Sequence, residues 1–100
     1  MSDVNPVFVE VGRERQRQEL KFPEQHLPDG TKRFYIALAD NAKMMTDRNA
    51  ANGTLTWSNV LTEEVMEAFA EHDEAKLRAE LIQVAAVAIR WIEDIDRRAS

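Results

Sequence analysis

The sequence predicts an all-α fold of four helices, near 9–21, 33–50, 57–71 and 74–97. Apolar residues return at three- and four-residue spacing through most of the chain, the period of one helix face. Between these stretches lie helix breakers: Pro23, Pro28 and Asp29-Gly30, then Asn52-Gly53, then the polar pair His72-Asp73. Arg, Gln and Glu, which favour helix, fill the segment where apolar content is lowest.

Composition narrows the function classes. A chain of 100 residues forms one domain, and a domain that small buries only about 60–65% of its unfolded surface, so self-association is expected. The net charge of −5 offers no footprint for a nucleic-acid backbone or an anionic membrane. With no cysteine, disulfides and thiolate metal sites are excluded, and a reducing cytoplasm fits. The start, Met1-Ser2-Asp3-Val4-Asn5-Pro6, lacks a basic region followed by an apolar core. The strongest apolar run, 84–89, is far short of the ~20 residues of a membrane span. The expectation is a soluble cytoplasmic protein with neither nucleic acid nor membrane as partner.

Residues 1–8 read as a flexible arm, ahead of a single helical domain over 9–98. The first helix carries Val11, Arg15, Gln18 and Phe22 near one stripe, and it lies over a core to which it contributes little. Arg13, Arg15, Arg17 and Lys21 form a solvated face on one reading and a phosphate-contacting edge on the other, and charge runs favour the first. Pro28-Asp29-Gly30 predicts a turn in a loop that can line a pocket. His26 has no nearby His or Cys and reads as a surface residue.

The second helix places Phe34, Leu38, Ala42 and Met45 on one stripe, flanked by Ile36 and Met44, and ends at Asn52-Gly53. Lys32, Arg33, Lys43, Asp47 and Arg48 take its other side. Met44-Met45 reads as core filler.

Thr56 is a natural N-cap for the third helix, whose apolar stripe is Val60, Leu61, Val65, Ala68 and Phe69. Glu64 and Glu67 border that stripe and Glu63 flanks the same edge, so three carboxylates crowd one side of a helix. The fourth helix marks its core face with Leu77, Leu81, Val84, Ala88, Trp91, Ile92 and Ile95, with Glu80 inside that face and Gln83 three residues on. Arg97 and Arg98 suit the carbonyl end of its dipole. The short connection makes the two helices antiparallel neighbours, so the Glu64/Glu67 edge meets the Glu80/Gln83 edge. Two readings of these acids stand: solvated charges on amphipathic helices, or a Mg²⁺ site whose cation offsets the cost of gathering them.

Glu63-Glu64-x-x-Glu67 followed on the next helix by Glu80-Leu81-x-Gln83 resembles the paired-helix signature of the MazG-like, all-α nucleoside triphosphate pyrophosphohydrolases. The match covers about 56–96. Upstream, Arg13-Glu14-Arg15-Gln16, Glu24-Gln25 and Pro28-Asp29-Gly30-Thr31 resemble a small bacterial and phage subgroup.

The resemblance implies a four-helix bundle completed as a homodimer or homotetramer, and cleavage of a nucleoside triphosphate between its α and β phosphates. It assigns Mg²⁺, with Mn²⁺ as a substitute, to Glu64, Glu67, Glu80 and the Gln83 position, and gives Glu63 the role of base or further ligand. Lys32, Arg33, Lys43 and Arg48 are candidates for phosphate contacts, by composition. Trp57 or Phe22 would stack on a base, against a core or interface role for Trp57. Gln83 departs from the family's aspartate: its amide oxygen can meet a metal but brings no charge and no base. The alternative is therefore a catalytically impaired helical module that binds nucleotide or a protein partner, and a third reading is a structural oligomer with solvated glutamates. Leu77, Val84, Val87, Trp91 and Ile95 form a wider apolar face than one short neighbour covers, which predicts at least a homodimer.

Overall fold

The structure, a computed structural model, describes residues 5–99, and among these it holds four α-helices and no strand. Among the described residues no helix is long and apolar enough to cross a membrane.

Helix α1 spans Pro6–Lys21. It begins earlier than the predicted arm allows, because Asn5 and Pro6 together make a helix start. The Asn5 side chain accepts from the Val7 N–H at 2.8 Å, and Pro6 sits at the first helical turn, where a missing N–H costs nothing. Pro6, Val7 and Phe8 thus belong to α1, and the rest of the expected arm, 1–4, lies outside the described residues. Asn5 also donates to Glu93 Oε2 at 2.8 Å, and Val7 is buried, so the N-terminal end of α1 is pinned to the last helix. Beyond it α1 is exposed, with Arg15 bonded to Glu19 and Arg17 to Glu14. That is the solvated face.

The chain leaves α1 through a turn at Pro23-Glu24, where Glu24 adopts φ 52. No turn forms at Pro28-Asp29-Gly30 as expected; the passage is irregular, and Gly30 takes φ 73. Lys32 then donates its N–H to the Phe69 carbonyl at 3.0 Å, fastening the loop to the third helix.

Helix α2, Tyr35–Ala51, starts two residues later than predicted and stops as predicted, with Asn52 capping and Gly53 at φ 72. Of the predicted stripe only Ala42 turns inward, where it is buried with Ala39 and Thr46, whereas Phe34, Leu38 and Met45 are exposed. Small side chains let the two backbones approach, and Thr46 uses that closeness: its hydroxyl lies 2.8 Å from the Ala42 carbonyl and 3.2 Å from that of Asn59. Asn49 adds a side-chain bond to Asn59 at 3.0 Å.

Helix α3, Trp57–Ala70, opens with a reciprocal cap in which Thr56 accepts from the Asn59 N–H while the Asn59 side chain accepts from that of Thr56. Helix α4, Glu74–Ala99, is the longest. Glu71 accepts from the N–H groups of His72 and Asp73, and Asp73 accepts from that of Lys76, so the break ends one helix and caps the next. Ala68, 1% exposed, marks where α3 is most enclosed.

The helices do not close into a bundle within one chain. α3 packs between α2 and α4, α1 touches only α4, and the described chain spreads into a plate of 40 × 39 × 22 Å. Its radius of gyration, 16.0 Å, exceeds the ~13 Å of a compact chain this long. Leu77, Val84, Ala88 and Trp91 of the predicted α4 core face are half-buried, but Leu81, Ile92 and Ile95 are exposed.

Candidate metal centre

The site forms where α3 and α4 run antiparallel. Thr56 sets the start of α3, Asp73 sets the start of α4, and only three residues separate the helices. Register is held at the far end by Trp57, whose indole N–H donates to Asp94 Oδ2 at 2.9 Å while the Arg90 guanidinium stands 5.7 Å from the ring centre. Trp57 therefore serves the helix interface.

Between those ends, Glu64, Glu67 and Glu80 each bring a carboxylate oxygen to within 4.8 Å of the other two. All three are half-buried. Glu64 Oε2 and Glu80 Oε2 are shut from solvent and have no hydrogen-bond partner. Burial, with Glu64, Glu80 and Glu63 nearby, pushes Glu67 up to about 7. Glu64 is raised by burial and then by Glu80 and Glu63. Ionised carboxylates only accept, so the group is satisfied by a shared proton or by a cation. Hard oxygen donors without nitrogen or sulfur fit Mg²⁺ or Mn²⁺, and the orphaned oxygens are where such an ion would be held.

The cluster opens on a cleft of about 380 Å³ lined by Ile36, Ala39, Asp40, Glu67, Ala70, Glu71, His72 and Glu80. Asp40 and His72 are additions to the sequence-derived site. Asp40 follows Ile36 by four, which puts both on one flank of α2, but only the packing of α2 on α3 shows that this flank meets the glutamates.

Other expected residues stand further out. Glu63 is half-buried beside Glu64 and acts on Glu64 and Glu67 through its charge. Gln83 is exposed one turn beyond Glu80 and does not line the cleft. Lys32, Arg33, Lys43 and Arg48 are exposed and line no part of it. Lys43 pairs with Asp47 at 3.4 Å on the flank that carries Asp40, whereas Arg48 lies ~140° around the helix from Lys43. Phe22 is exposed beneath the Lys21 ammonium.

No protein-family model, no curated protein and no solved structure matches this chain.

Proposed function

We propose that this chain is a Mg²⁺-dependent nucleoside triphosphate pyrophosphohydrolase, also served by Mn²⁺, that adds water across the α–β phosphate bond to give a nucleoside monophosphate and pyrophosphate. The observation that carries the reading is the convergence of Glu64, Glu67 and Glu80, two of them with enclosed, unpartnered oxygens. Their order along two antiparallel helices is the one in which the sequence resembles the MazG-like enzymes.

When bound, the cation would offset polyphosphate charge and activate water. Glu64, Glu67 and Glu80 would hold it, Glu63 would receive the proton of the attacking water, and Asp40 and His72 border the cleft that would admit the phosphates. Lys32, and Lys43 once released from Asp47, would approach the outer phosphates. A second reading, nucleotide binding without turnover, is favoured by Gln83, which is exposed and uncharged where the related pattern carries a carboxylate.

The test is pyrophosphate release from a panel of ribo- and deoxynucleoside triphosphates with Mg²⁺ or Mn²⁺. Metal-dependent release that disappears in Glu67→Ala supports the enzyme. Nucleotide binding without release in folded protein supports the second reading, and release that survives Glu67→Ala sinks the metal-site assignment.

A further inference from the structure

We propose that the hollow beside Trp57 is a base subsite in which the Arg90 guanidinium reads the O6 and N7 edge of a guanine nucleotide. The inference rests on the nucleotide reading above and names the nucleotide. The hollow, of about 510 Å³, is lined by Leu55, Thr56, Trp57, Val60 and Arg90. Val60 is half-buried and Leu55 is 48% exposed, so a flat ring entering it meets apolar walls.

Arg90 is the one charged residue lining the hollow, and it is uncommitted. Its guanidinium stands 5.7 Å from the centre of the Trp57 ring, which engages the face of the group and leaves its N–H edge open. Among the described residues no acid pairs with it. Asp94, four residues on, instead accepts from the Trp57 indole and neighbours Arg97 and Arg98. A guanidinium carries donors only. Guanine offers it two adjacent acceptors, O6 and N7, that match the fork, whereas adenine sets an amino donor beside N7 and leaves half of the fork unanswered.

Position along the helices joins the hollow to the carboxylates. Val60, Glu64 and Glu67 follow one another by four and three residues, a single line on α3. Arg90, Val87, Gln83 and Glu80 step back by three, four and three, a single line on α4. Both lines lead from the hollow to the carboxylate cluster. Trp57 and Glu64 are seven residues apart, about 10 Å of helix, a stretch for the ribose and the α phosphate to cross. The cleft with Asp40 and His72 lies past the carboxylates, beside Glu67 and Ala70. A nucleotide laid along α3 thus has its base at Arg90, its α–β bond at the glutamates and its outer phosphates in the cleft.

Calorimetric titration of the whole chain, in Mn²⁺, with the α,β-methylene analogues of GTP and ATP tests the assignment. Arg90→Gln removes the charge; Arg90→Lys keeps the charge but not the fork. Arg90 is exposed, so circular dichroism should show both variants folded. The expected result is that wild type binds the guanosine analogue about tenfold or more tightly than the adenosine analogue, and that both variants lose the difference. Equal binding by wild type, a preference that survives in both variants, or binding of neither analogue overturns the proposal. Pyrophosphate release at equal kcat/KM from GTP and ATP would keep the hydrolase and overturn the base assignment. A guanosine preference that depends on Arg90, without release from GTP, would support the subsite and count against the hydrolase.

Discussion

Trp57 and Asp94, 37 residues apart in sequence, are joined by an indole-to-carboxylate hydrogen bond of 2.9 Å across the α3–α4 interface. It sets the register that brings Glu80 level with Glu64 and Glu67. Trp57→Phe keeps most of the ring and deletes the donor. Asp94 retains Arg97 and Arg98 nearby, so the expected loss is ~1–2 kcal/mol in denaturant unfolding. Cation-dependent stabilisation should weaken with it as the carboxylates drift apart.

Glu67 makes the metal-free protein less stable as pH rises. Its folded form holds a proton up to about 7, against an ordinary value of 4.5. Below 4.5 both states are protonated and nothing is lost. Between 4.5 and 7 the folded state binds more protons than the unfolded, so stability falls with pH and levels off above. Glu64 is shifted in the same direction. Melting temperatures of wild type and Glu67→Gln, measured in chelator across this window, should diverge, with the variant the more stable at the alkaline end. Parallel curves would refute the shift.

Cation binding should release protons. A metal needs the ionised carboxylate, and at pH 7 about half of the Glu67 population is protonated, so Mn²⁺ binding should expel roughly half a proton, declining to none by about pH 9. Calorimetry in two buffers of different ionisation enthalpy reads this directly. Glu67→Gln should bind more weakly and lack the Glu67 contribution.

Ala68 is 1% exposed and one residue from Glu67. Ala68→Leu forces extra volume into the most enclosed point of α3 and should cost about 1–3 kcal/mol. Displacement of α3 should also lower the affinity for Mn²⁺, whereas Ala50→Leu, on the exposed end of α2, should change neither.

Much of this arrangement was legible in residue order, for identifiable reasons. Thr56, His72-Asp73 and Asn52-Gly53 act through local hydrogen bonds and φ, so they marked ends that the structure reproduces within a residue or two. The Glu64, Glu67 and Glu80 convergence followed from helical period plus a short connection. Faces were harder. Periodicity selected Phe34, Leu38 and Met45 along with Ala42, yet of these only Ala42 is buried, and α2 packs through Ala39, Ala42 and Thr46 because close approach rewards small side chains. The α4 stripe was drawn too wide because one apolar face merges two surfaces, one against α3 and one open. Residues 1–8 were read as a flexible arm although Asn5-Pro6 signals a helix start. Asp40 and His72 carry no local signal and needed the tertiary packing.

The 22 Å thickness of the plate is about two helix diameters, which leaves hardly any amide far from water. In hydrogen exchange the single chain should lack a slow core, with protection peaking around Ala68 and fading along the C-terminal half of α1 toward that of a free helix. Were copies of the chain to assemble, that protection would come from the contact between them, and exchange rates and thermal midpoint would both depend on protein concentration.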